Sequence, residues 1–114
     1  MAVSSDIMRG HLEGVILKLI VQKDRYGYEI ASTIKATTKG RFEIKEATLY
    51  ALVQRLEHKG FIRSYIGDKS FGRKRRYYTM TEEGTIYYAI KKAEWLELKA
   101  ILDALWEDNH DETA

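Results

Sequence analysis

The 114-residue sequence contains no cysteine and no proline. Without cysteine there is no disulfide framework, no thiolate metal site and no cysteine nucleophile, a composition that suits a reducing compartment. Without proline, nothing forbids long uninterrupted helices. Histidine is scarce. His11, His58 and His110 stand far apart, without the close spacing of a ligand set, so neither a metal nor another cofactor is expected. Long apolar runs are missing too: Val15 to Val21 is interrupted by Lys18 and is too short to cross a bilayer. The first six residues lack the basic-then-apolar order of a secretory leader, so a cytoplasmic location without membrane contact is expected. No nucleophile-elbow serine and no glycine-rich phosphate loop occurs, and Glu82-Glu83 reads as the first turn of a helix. The chain is not expected to be an enzyme.

What is present is a 45% hydrophobic composition, enough for a modest core that a partner chain would enlarge. The net charge of +2 hides an asymmetry: residues 1–80 carry +8 and residues 81–114 carry −6. Such a basic stretch suits a polyanionic partner, although two oppositely charged solvated surfaces would give the same totals.

Helical periodicity places a first helix over Ile7–Val21 and a second over Tyr28–Thr37, stopped by Gly40. Gln22 to Arg25 reads as a polar break, and Phe42-Glu43-Ile44 as a short extended stretch. A third helix runs from Glu46 to Lys59, with Leu49, Leu52, Val53 and Leu56 on its inner face, and Gly60 ends it. Phe61–Ile66 and Arg76–Met80 read as the strands of a hairpin. Thr81 is placed as the N-cap of a last helix reaching Trp106. The fold class is therefore mostly α with a small β-hairpin wing. It is a winged helix-turn-helix over residues 1–80, one long C-terminal dimerisation helix over 81–107, and an acidic tail over 108–114 expected to be disordered.

Such a layout sets the third helix into a major groove and the hairpin along the backbone. Lys45, Thr48, Ala51, Arg55 and His58 share the third helix's outer face, where short or basic side chains can reach base edges. Tyr50 lies between the faces and can donate its hydroxyl to a phosphate. A solvated amphipathic face explains the same pattern. Gly72-Arg73-Lys74-Arg75-Arg76 is more specific, since four consecutive cations on a hairpin can straddle a groove wall and displace condensed counterions. Tyr28, opening the second helix, can reach a phosphate or serve as a core-edge tyrosine. Double-stranded DNA is the expected partner, contacted by Tyr28, Lys45, Thr48, Tyr50, Arg55, Arg73, Lys74 and Arg75. A winged-helix protein-interaction module is the alternative, which the cationic run disfavours.

At helical spacing, Tyr88, Trp95, Leu98, Leu102 and Trp106 fall on one side of the last helix, and Ile86, Ala89, Ile90, Ala93, Ala100 and Ala104 on the other. A surface helix normally has a single apolar stripe; two faces imply two partners, and a homodimer is the economical answer. Tyr88 and Trp95, with Met8 from the first helix, would then wall an aromatic cleft at the dimer centre, able to take a small planar aromatic effector. Trp95 can equally be plain dimer core. Lys91, Lys92 and Lys99 around it point to a planar anion.

Tyr26-Gly27-Tyr28-Glu29-Ile30, Ala47-Thr48-Leu49-Tyr50, Arg55-Leu56-Glu57, Gly60-Phe61-Ile62 and Gly72 to Gly84 occur in an order that resembles the PadR family of transcriptional regulators over nearly the whole chain. The single C-terminal helix is similar to the family's short subgroup, which includes multidrug-responsive members. The resemblance implies a homodimer that represses genes. In a multidrug-responsive member it implies a tryptophan from each last helix stacked on planar drugs, at the place Trp95 occupies. Ala47, Ala51 and Lys74 depart from the glycine and prolines that many members carry there, which bears on the DNA sequence recognised.

Overall fold

The computed structural model describes residues 3–69 and 73–107, with backbone alone at Asp68, Lys69 and Arg73. The acidic tail over 108–114 and Gly72 of the cationic run lie outside the described residues.

The chain starts as a short helix, α1 (Ser5–Met8), capped by Ser4 Oγ accepting from the Ile7 amide, and passes through a 3-10 turn at Arg9–His11 into α2 (Leu12–Gln22). The expected unbroken first helix is thus two pieces. Gly10, a poor helix former, sits inside the turn that separates them. The second difference lies just beyond. Arg25 Nε donates to the Leu19 carbonyl at 2.7 Å, and its Nη2 donates to Gln22 Oε1 at 3.1 Å. Arg25 pins the chain where α2 ends and lays Arg25–Tyr26 down as a strand, β1. The short strand is therefore here and not at Phe42–Ile44. There Thr38 Oγ1 accepts from the Phe42 amide at 3.1 Å, which replaces a strand partner for that group.

Next come α3 (Gly27–Thr37) and α4 (Glu46–His58), followed by β2 (Ile62–Lys69), β3 (Arg73–Met80) and α5 (Glu82–Trp106). Both hairpin strands extend further towards the tip than their apolar runs suggest. The cations at 73–75 therefore belong to a strand, not to a loop. The sheet is antiparallel in the order β1-β3-β2, with Tyr26 opposite Tyr77 and Tyr77 opposite Tyr65.

The core is where the apolar stripes of α2, α3 and α4 converge on the hairpin. Ile16, Leu17, Ile20, Ile30, Leu49, Val53, Leu56 and Ile62 are fully buried, and Tyr78 closes the sheet side. Tyr77, on the opposite sheet face, is covered instead by rings: Tyr65 stacks on it at 5.6 Å and Tyr26 meets it edge-on at 5.4 Å. This cross-strand row holds the two-residue β1 onto the sheet.

The entry to α5 is bolted to the exit of α4. Thr81 Oγ1 donates to the Gly60 carbonyl at 2.7 Å and accepts from the Gly84 amide at 2.9 Å, so the N-cap also serves as a tertiary clamp. At roughly 1.5 Å per residue α5 is about 37 Å long. Its first half packs along α2, with Lys91 Cβ against Gly14, while Leu105 and Trp106 near its end are 73% and 81% exposed. No helix among the described residues is long and apolar enough to cross a membrane.

Candidate nucleic-acid interface

One open groove of about 490 Å³ lies between the start of α3, one flank of α4 and strand β3 of the wing. Tyr28 comes from α3, Tyr50, Gln54 and Glu57 from α4, and Lys74, Arg75, Arg76 and Tyr78 from β3; Tyr26 and Gly27 form the floor at the β1–α3 junction. The fold thus gathers Tyr28, Tyr50, Lys74 and Arg75 from three separate segments of the chain.

Each is placed by a specific contact or by its lack of one. Tyr28 is 70% exposed, so it is not a core-edge residue. Tyr50 leans over Gly27, where an added Cβ would stand 2.6 Å from its hydroxyl; only a bare α carbon allows that approach. The Arg75 guanidinium lies 4.6 Å from the centroid of Tyr26, a cation–π contact that steadies the charge without neutralising it. Arg76 Nη1 donates to Ser64 Oγ at 3.0 Å, and Ser64 donates to Glu57 at 2.7 Å, a chain that ties wing to α4. Lys74 is exposed. Burial pushes the Tyr78 phenol above its ordinary range, with Arg76 acting in the opposite direction, so it stays a neutral hydroxyl at the back of the groove.

Lys45, Thr48 and Arg55 do not line this groove. Lys45 and Thr48 are exposed at the start of α4, with Ala51 exposed beside them, as the expected outer face requires. Arg55 is exposed but engaged: its Nε stands 3.4 Å from Glu13 Oε2 of α2. The side chain of Arg73 lies outside what is described. The sequence marks Arg76 only as the last cation of the wing run, and it does not mark Tyr26 or Gln54 as contacts. Gln54 carried a usable signal, lying one helical turn after Tyr50. Tyr26 did not, because its position depends on β1.

The three residues expected around an effector lie on α1 and α5. Met8 and Tyr88 are partly buried against the core. Trp95 is 46% exposed, with His11 against it edge-on at 5.6 Å. Of the surrounding lysines, Lys91 pairs with Glu94 at 3.7 Å and Lys99 with Asp103 at 2.9 Å, which reduces the positive field expected there. Among the described residues no group of three His, Cys, Asp or Glu is placed to hold a metal ion.

Comparison with known proteins follows the same lines. The family model for the transcriptional regulator PadR-like family matches residues 16–90, from α2 into α5. An uncharacterised protein of Lysinibacillus sphaericus is 53% identical over 105 residues, which cover 92% of this chain and 96% of that one. A transcriptional regulator from Clostridium thermocellum is 40% identical with a TM-score of 0.84, covering 93% of this chain and 100% of that structure. A PadR-like transcriptional regulator from Bacillus cereus is 28% identical with a TM-score of 0.82, covering 91% and 99%.

Proposed function

The chain belongs to the PadR-like family of transcriptional regulators, and on that premise we propose that it is a homodimeric, sequence-specific repressor. In this reading residues 1–80 form the DNA-binding unit and residues 81–107 the dimerisation helix. A DNA-binding regulator follows from the family; the repressor, dimer and contact assignments are the proposal.

The observation that carries it is the groove in which Tyr28, Tyr50, Lys74 and Arg75 converge beside the exposed start of α4. With the N-terminus of α4 in a major groove, Lys45 and Thr48 face base edges, while Arg55 and the wing cations face phosphates. The tyrosines supply neutral hydroxyl donors to the same backbone. Dimerisation draws support from α5, whose Ile86, Ile90, Leu96, Ile101, Leu102 and Leu105 are all exposed on a single chain. That much apolar surface is unusual on a helix without a partner. Two chains related by a two-fold axis would set two α4 helices about one DNA turn, roughly 34 Å, apart.

The test is titration of duplex DNA from the region upstream of the gene, at several salt concentrations. Two chains per site are expected, with log K falling by about 0.9 per phosphate neutralised. Replacing Lys74 and Arg75 by alanine is expected to flatten that slope. Binding that ignores salt would replace this reading with a protein-interaction role.

The repressor is further proposed to be released by a small planar aromatic ligand at the dimer centre. Support comes from the half-exposed ring of Trp95, which His11 meets only edge-on, so exposed ring surface is left for a planar ligand. Trp106→Phe leaves Trp95 as the sole tryptophan reporter. Quenching of its emission by planar phenolic acids or dyes, together with loss of DNA binding, is the expected result.

A further inference from the structure

Glu13 lies where α2, α4 and α5 converge, with its side chain only 12% exposed. Its Oε1 accepts from the Tyr87 hydroxyl of α5 at 2.9 Å, a bond that joins positions 74 apart. Its Oε2 is buried and has no hydrogen-bond partner among the described residues; the charge that compensates it is Arg55 Nε of α4, at 3.4 Å. Tyr87 is itself fixed by a parallel stack on Phe61 at 4.2 Å and by Lys91 over its ring at 5.4 Å.

A carboxylate withdrawn from water needs both hydrogen bonds and a counter-charge. Arg55 supplies the charge through Nε, the nitrogen nearest the chain, so its two terminal nitrogens still carry four N–H donors for other acceptors. The guanidinium fork is planar and rigid, so fixing one edge sets where the other edge points. The Arg55 side chain is 61% exposed, so those donors are not taken up by the core. A long side chain ordered before binding loses less freedom on binding.

We propose that Glu13 is a positioning residue for Arg55, holding its terminal nitrogens outward towards acceptors on DNA, and that the Tyr87 hydroxyl ties this aim to the long helix α5. The inference rests on the DNA-binding reading above. It adds a physical link between the helix proposed to dimerise and the helix proposed to read DNA. A shift of α5 that withdraws the Tyr87 hydroxyl frees the Glu13 carboxylate to turn, and Arg55 loses its reference point.

The sign of one substitution tests this. A carboxylate near DNA repels phosphates, so as mere charge Glu13 weakens binding and Glu13→Gln would tighten it. As the holder of Arg55, Glu13 strengthens binding. Binding of the full chain to a generic DNA duplex at low salt is measured for the wild type, E13Q, R55A and the double variant, with a thermal unfolding midpoint for each. E13Q is expected to weaken binding about fivefold when Arg55 is present, and to leave it unchanged or tighten it when Arg55 is alanine. Tyr87→Phe keeps the ring stack and removes only the hydroxyl. It is expected to weaken binding about twofold with Arg55 present and not without it, and it decides the matter alone if E13Q does not fold. Tighter or unchanged binding by E13Q in the presence of Arg55 overturns the proposal. So does equal weakening in both backgrounds, which would mark a purely structural carboxylate. A wild-type protein that does not bind the duplex removes the DNA-binding reading and this inference together, and that failure shows before any variant is compared.

Discussion

Gly84 lies so close beneath the carbonyl of Phe61 that a Cβ built on it would stand 1.9 Å from that oxygen. Around this contact the Thr81 amide donates to the same Phe61 carbonyl at 3.2 Å, and the Thr81 side chain clamps Gly60. The long helix is therefore joined to the winged-helix body through backbone, at a point where no side chain fits. Gly84→Ala must push α5 away from β2, and both sides of the clash are anchored. The expected destabilisation is about 3 kcal/mol, a fall of roughly 10 °C in the thermal midpoint. An unchanged midpoint in a calorimetric scan would mean that the α5 junction is soft.

Tyr28→Phe separates recognition from folding. The side chain is 70% exposed, so the variant is expected to unfold within about 0.5 kcal/mol of the wild type. Its affinity for duplex DNA should fall about fivefold, the worth of one hydrogen bond of about 1 kcal/mol. Because a tyrosine hydroxyl carries no charge, the salt slope should stay as it is. Chemical denaturation and a salt titration on the same samples check all three.

Leu102→Glu addresses assembly. Leu102 is 40% exposed on the single chain and sits in the half of α5 that runs past α2. A carboxylate there is costly only if a second chain covers the position. The variant is expected to sediment as a monomer with its helical circular dichroism retained, and to lose two-chain DNA binding. A wild type that sediments as a monomer would remove the dimer from the proposed function.

Alkaline pH probes the tyrosines. Burial raises Tyr78 and Tyr77 above the ordinary 10.0, and the hydrogen bond to Asp24, accepted at 2.6 Å, raises Tyr65. Burial followed by the bond to Glu13 raises Tyr87. In each case the folded chain holds its proton longer than the unfolded one. The stability these groups contribute is fully present below the unfolded value, and it is lost as pH rises above about 10. Denaturant midpoints are expected to fall as pH rises above about 10. Tyr78→Phe removes one of the four titrating groups and should make the fall shallower.

Much of this was readable from spacing. The inner face of α4, the N-cap at Thr81 and the length of α5 are local matters of helical period and capping, and the structure has them as expected. The strand at Arg25–Tyr26 was not readable. Two residues carry no periodicity, and this pair is a strand only because β3 lies alongside and Arg25 ties it to Leu19. Phe42-Glu43-Ile44 reads as extended in the sequence. Both apolar residues do turn inward, but without a neighbouring strand there is no ladder.

The candidate site divides in the same way. Which residues could touch DNA followed from residue type: cations on a hairpin, short polar groups opening a helix, tyrosines at its flank. That Tyr28, Tyr50 and Arg75 share one groove while Arg55 lies outside it, held by Glu13, could not follow from the sequence. Glu13 reads there as one more polar residue on an amphipathic helix. By itself the sequence determined the elements, their inner faces and the chemistry available on their outer ones, because those depend on contacts within a few turns of one chain segment. Only the tertiary structure decided which side chains meet. Glu13, Arg55 and Tyr87 come from three helices, and their distances are set by how the core packs.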